Sequence, residues 1–142
     1  MKHEIARRIA IPTFTDARGS LSVLELRKTV PFPVERVFYL HGMPPGAVRG
    51  NHSTYSPEFL ICAAGSCRIR LCDGRTETEE VFSAAEEGLL IPPLTWRSFS
   101  DFSGDCLLIC FSDRPYREDD TILEFDRFLQ IKNAAEETAR ND

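Results

Sequence analysis

Histidine is scarce in this chain of 142 residues: there are three, His3, His41 and His52. That scarcity argues against a transition-metal centre, which ordinarily needs three or four imidazole, thiolate or carboxylate ligands at short range. A basic excess is also missing, since 17 Lys and Arg stand against 22 Asp and Glu, for a net charge of −5. Nucleic acid and anionic membrane surfaces are therefore excluded as general partners. No stretch approaches the roughly 20 apolar residues that cross a bilayer. No apolar run follows Met1-Lys2-His3-Glu4, so no signal peptide is expected and a cytoplasmic location is. Internal repeats, linkers and low-complexity tracts are lacking, as are a Ser/His/Asp order, a Cys/His nucleophile pattern and a glycine-rich phosphate loop. The five cysteines, Cys62, Cys67, Cys72, Cys106 and Cys110, are odd in number, and the first three are five apart, which is not a zinc spacing. They read as reduced core thiols.

What is present is a succession of short strands. Ser20 to Leu26 and Val34 to Leu40 alternate in polarity, and in the second Val37, Tyr39 and His41 share one face while Phe38 and Leu40 share the other. Glu58 to Ala63 and Cys67 to Cys72 follow, joined through Ala64-Gly65-Ser66. Asp73-Gly74 is a strong hairpin signal, and Thr76 to Phe82 is the returning strand. Gly88 to Pro92, Trp96 to Phe99 and Cys106 to Ser112 complete the series. Strands recurring every 8–12 residues indicate an all-β sandwich or barrel. From Asp119 the spacing of Ile122, Phe125, Phe128 and Leu129 becomes helical. The expectation is a single domain over 1–142, with the barrel and closing helix over about 10–130 and a polar tail over 131–142.

The chemistry concentrates in Arg49-Gly50-Asn51-His52-Ser53-Thr54 and the strand beginning at Glu58. An imidazole takes and returns a proton near neutral pH, so His52 is the first candidate for acid–base work. Tyr39 can donate from a phenol. His41, two residues on, shares its face and could join it. Arg49 suits a phosphate or an enolate oxygen. Thr54, Glu58, Trp96 and Arg97 are candidates for substrate contact, as is Arg18 in the turn Asp16-Ala17-Arg18-Gly19. Each has a plainer reading: His52 as a strand-start residue, Tyr39 and Trp96 as packing aromatics, Arg49 as a surface ion-pair partner and His41 as a solvent-facing strand end. With His52 and Glu58 as the strongest remaining ligands, a metal-free cavity with no cofactor is expected.

The order of these pieces resembles the WxcM-like cupins, the sugar-nucleotide 3,4-ketoisomerases that act on dTDP-4-keto-6-deoxyglucose. The resemblance rests on Asp16-Ala17-Arg18-Gly19, Arg36-Val37-Phe38-Tyr39, the run from Pro45 to His52, and the run from Phe59 to Cys67. It continues through Asp73-Gly74, the run from Gly88 to Arg97, Asp101-Phe102-Ser103 and Tyr116-Arg117-Glu118-Asp119-Asp120. It implies a metal-free double-stranded β-helix, or jelly roll, with a short C-terminal helix, and a homodimer that exchanges N-terminal strands. The apolar segment Ile9 to Phe14 agrees with such an exchange. It also implies transfer of a keto group between C4 and C3 of a dTDP-linked hexose through an enediol. By position, His52 matches the first histidine of the family motif Arg-Gly-x-His-x-His, Tyr39 the assisting tyrosine and Arg49 the arginine. Thr54 stands where the family has its second histidine. Arg18, Arg49 and Arg97 are the nearest cations for a nucleotide diphosphate. A non-catalytic nucleotide-sugar binder and a related sugar epimerase are the competing expectations.

Overall fold

The computed structural model describes residues 4–84 and 86–141. Two five-stranded antiparallel sheets face each other. The first has the order β1 (Arg7–Ala10), β9 (Glu87–Ile91), β6 (Glu58–Ala64), β11 (Leu107–Ser112) and β4 (Arg36–Leu40). The second runs β12 (Thr121–Ile122), β5 (Arg49–Thr54), β10 (Trp96–Ser100), β7 (Ser66–Cys72) and β8 (Glu77–Ser83). A separate hairpin, β2 (Thr13–Asp16) with β3 (Gly19–Ser22), stands apart from both. The jelly-roll barrel expected from the resemblance is what forms.

Alternation builds the interior. Leu60, Cys62, Leu108 and Cys110 from the first sheet meet Cys67, Ile69, Leu71 and Phe99 from the second in one buried cluster, as face-to-face sheets require. The Asp73-Gly74 turn behaves as its composition dictates. Asp73 Oδ1 accepts from the backbone N–H groups of Arg75 and Thr76 at 2.9 and 2.8 Å, and the pairing closes with Cys72 opposite Glu77. All five cysteines are free and buried, and burial, with the neighbouring Cys106, pushes the Cys62 thiol up to about 12.

Both outer faces are covered, the first by a segment whose sequence reads otherwise and the second by the expected helix. The strand expected to run to Leu26 ends at Ser22, and the chain beyond it crosses the outside of the first sheet. There Val30 is fully buried against Phe59 and Phe111, with Leu24, Phe32 and Val34 around them. The outside of the second sheet is covered by α1 (Phe125–Asn141). Phe128 is fully buried there beside Cys72 and Ile122, and Trp96 packs on Phe125 and Phe128 with ring centroids 5.2 and 5.8 Å away. The helix runs through most of the stretch expected as a polar tail, because 131–141 is rich in good helix formers. No helix among the described residues is long and apolar enough to cross a membrane.

Candidate active site

One end of the barrel opens into a cavity of about 690 Å³. Its wall comes from strands of both sheets. Glu58 starts β6, Arg36 and Phe38 lie on β4, and His52 and Thr54 end β5, with Ser56 just beyond. Its mouth is built by the connection that follows β11, through Arg114, Tyr116, Arg117, Glu118, Asp120, Thr121 and Leu123. That connection returns to the barrel because β12 pairs with β5, Thr121 opposite Thr54 and Ile122 opposite Ser53.

His52 is aimed by a bulge. Along β10, Arg97 lies opposite His52 while Ser98 lies opposite Gly50, so Asn51 is the extra residue. Gly50 and Asn51 both take positive φ, 81° and 53°. The bulge kinks the strand and turns His52 toward the cavity. Gly50 is required there. A Cβ at that position would lie 3.0 Å from the Arg97 carbonyl oxygen and 3.2 Å from the Phe99 ring.

Behind the wall lies a buried ion pair. Arg97 is 1% exposed and Glu58 4%. The Arg97 guanidinium donates through Nη1 to Glu58 Oε1 and through Nη2 to the Thr95 carbonyl at 3.0 Å. Burial first, and then this guanidinium, holds the half-buried His52 below the ordinary imidazole value, against the opposing pull of Glu58 and a hydrogen bond with the Gly50 backbone. His52 is therefore poised as a neutral base. The Thr54 hydroxyl is committed to the Ser56 carbonyl at 2.8 Å. Among the described residues no three His, Cys, Asp or Glu side chains converge as a metal site would need.

Of the residues singled out by sequence, the structure brings together His52, Thr54 and Glu58, with Arg97 directly behind them. The others lie elsewhere. Tyr39 and His41 do share a face, with ring centroids 5.2 Å apart, but it is the outer face. Tyr39 is 61% exposed, and the inward positions of β4 belong to Arg36 and Phe38. Strand parity fixes which residues go together and leaves open which set goes inside. Trp96, a candidate for substrate contact, does not line the cavity, since alternation sends Arg97 inward and Trp96 out against α1. Arg49 is exposed and outside the cavity lining. Arg18 sits on the free hairpin in an exposed ion pair with Asp16 at 2.6 Å. Arg97 is neutralised in the interior, and the arginines that line the cavity are Arg36, Arg114, which is paired with Asp113 and Asp120, and Arg117, which is paired with Asp119. Arg36 and Arg117 stand in runs that carry the family resemblance, but nothing in the sequence gives either a role at the cavity. Arg114 carried no sequence signal.

The arrangement sets an imidazole and a carboxylate on one cavity wall, with arginines at the mouth. Comparison with known proteins gives this chemistry a context. The curated TDP-4-oxo-6-deoxy-alpha-D-glucose-3,4-oxoisomerase of Aneurinibacillus thermoaerophilus is 36% identical over 114 residues, 80% of this chain and 82% of that protein. The crystal structure of a 3,4-ketoisomerase from Helicobacter canadensis superposes with a TM-score of 0.87 at 32% identity, covering 92% of this chain and 99% of that one. A sugar 3,4-ketoisomerase from Thermoanaerobacterium thermosaccharolyticum, solved with TDP, gives 0.88 at 30% identity, covering 92% and 96%. Residues 4–133 match the family described as FdtA: WxcM-like, C-terminal, and the chain belongs to that family.

Proposed function

We propose that this protein is a cofactor-independent isomerase that moves the keto group between C4 and C3 of a dTDP-linked 4-keto-6-deoxyhexose in deoxysugar biosynthesis. The observation that carries the reading is His52, held as a neutral base on the wall of a ligand-sized cavity, in a member of a family whose relatives bear the names of 3,4-ketoisomerases. Arg36, the lining arginine with no carboxylate partner among the described residues, suits an anionic ligand. Arg36 lies 5.6 Å from the Tyr116 ring centre and 5.3 Å from that of Phe38, so a guanidinium and two aromatic faces border the opening. Charge neutralisation leaves Arg97 out of this role.

A homodimer accompanies the reading. The β2–β3 hairpin leaves Phe14 and Leu21 65% and 64% exposed, and the edge strand β4 presents Val37 and Tyr39 at 54% and 61%. Such surfaces suit a second copy of the chain. In that assembly Arg18 and Tyr39 lie on the surface that the second copy would meet. Five buried free thiols suit the reducing cytoplasm.

Thr54 in the place of the motif's second histidine favours a second reading, a non-catalytic nucleotide-sugar binder. Incubating the chain with dTDP-4-keto-6-deoxyglucose in D₂O separates the two. The isomerase gives a 3-keto product and incorporates carbon-bound deuterium. The binder shows dTDP affinity by calorimetry with neither product nor exchange over hours, and an epimerase exchanges deuterium while inverting a carbon and keeping the ketone at C4.

A further inference from the structure

Moving a ketone to the neighbouring carbon transfers two protons. One leaves the hydroxyl-bearing carbon and returns to the former carbonyl carbon. The other leaves the hydroxyl oxygen and returns to the former carbonyl oxygen. The C–H electron pair becomes the C=C bond of the enediolate as the carbonyl π pair moves to oxygen. Collapse of the other oxygen's O–H pair then forms the new C=O while the C=C pair takes up the carbon proton. Atoms and charge balance with two exchanging groups and no oxidant or reductant. His52 supplies one such group. Thr54 cannot supply the second, since a threonine hydroxyl is not a base at neutral pH and this one donates to the Ser56 carbonyl at 2.8 Å. His41 and Tyr39 lie on the outside of the sheet.

Resting on the isomerase reading above, we propose that Glu58 is the second proton-transfer group, carrying the proton between the two substrate oxygens while His52 carries the one between carbons. Four observations support this. Glu58 lines the same cavity as His52 and Thr54. It is 4% exposed, so its carboxylate works largely out of water. Its Oε1 is taken by Arg97, while among the described residues Oε2 has no protein donor and is free to accept a substrate hydroxyl. Arg97 is itself fixed to the Thr95 carbonyl at 3.0 Å, so the carboxylate is held against the cavity wall by a rigid anchor. A buried ion pair adds little net stability compared with well-packed apolar side chains, so stability alone does not account for one placed at a cavity wall. The arrangement divides the labour of the missing histidine: the carboxylate handles oxygen protons, which move readily, and the imidazole handles the slow carbon proton.

The test measures two rates on one substrate, dTDP-4-keto-6-deoxyglucose in D₂O: formation of the 3-keto product and exchange of the carbon-bound proton in the unreacted 4-keto sugar. Glu58→Gln keeps the shape and a hydrogen bond to Arg97. It is expected to lower product formation about 10²-fold or more while exchange falls far less, so the ratio of exchange to turnover rises at least tenfold. Thr54→His placed on top of it is expected to restore turnover. Should Glu58→Gln fail to fold, Glu58→Asp keeps a carboxylate and is expected to slow product formation more than exchange. Product formation within threefold of wild type in Glu58→Gln, or an equal fall of both rates, overturns the proposal and leaves the isomerase reading standing. Absence of product and exchange in the wild-type chain overturns both.

Discussion

His52 owes its chemistry to what lies behind it. An imidazole beside a lone carboxylate would be drawn toward the protonated form. Here burial and the Arg97 guanidinium outweigh Glu58 and favour the neutral form. The sign fixes the pH profile. On the isomerase reading proposed above the active species is deprotonated His52, so kcat/KM should be flat through neutrality and fall on the acid side with a midpoint below about 6.5, the unperturbed imidazole value. Arg97→Met should move that midpoint upward, and His52→Asn should lower turnover roughly 10²-fold or more and abolish the acid limb. A pH series of initial rates on the three proteins checks this, and an acid limb above pH 7 in wild type would contradict it. The residue itself was legible from sequence, since a single histidine after Arg-Gly in a barrel-forming chain is conspicuous. Its partner's importance was not. Arg97 and Glu58 are 39 positions apart, and nothing in either neighbourhood announces a buried ion pair.

At the scale of elements, the strands were readable because their signals are local. The alternation of β6 and β7, the Asp73-Gly74 turn and the helical spacing of Phe125, Phe128 and Leu129 each lie within a few residues, although the helix begins at Phe125 and not at Asp119, and Ile122 lies in strand β12. The orientation of β4 was not readable for a physical reason. Val37, Tyr39 and His41 share one face and Arg36, Phe38 and Leu40 the other, so each mixes apolar with polar side chains and hydrophobicity alone does not choose between them. The mouth of the cavity was hidden for another reason. It exists only because β12, a strand of two residues, adds to β5, and such a short pairing has no period to detect. The bulge in β5 gives this scale its prediction. Gly50→Ala places a side chain at φ 81° against the Arg97 carbonyl. A left-handed alanine alone costs about 1–2 kcal/mol, and its Cβ presses on the strand that carries Arg97. Stability should fall by at least that amount in denaturant titration, and turnover should drop further than dTDP affinity because His52 is re-aimed. A variant with wild-type turnover would show that the bulge does not position the imidazole.

For the whole molecule, the two sheets are unequally dressed. The second carries a helix on its outer face, while the first carries irregular chain and ends in the edge strand β4, and the β2–β3 hairpin belongs to neither. Phe14 and Leu21 on that hairpin have little to pack against within one copy. Association should therefore be tight. Light scattering at micromolar concentration should give twice the 16.1 kDa chain mass, and Phe14→Glu with Leu21→Glu should shift it to monomer. A wild-type monomer would remove the homodimer from the reading.

The chain's single tryptophan lies against Phe125 and Phe128 on the far side of its sheet from the cavity. The helix carrying those rings begins two residues after Leu123, which borders the cavity opening. Trp96 emission is consequently a built-in gauge of how firmly the helix is seated. Were a ligand to draw the 114–123 connection inward, it would tug on that seat, and the fluorescence would record it from a place the ligand never touches.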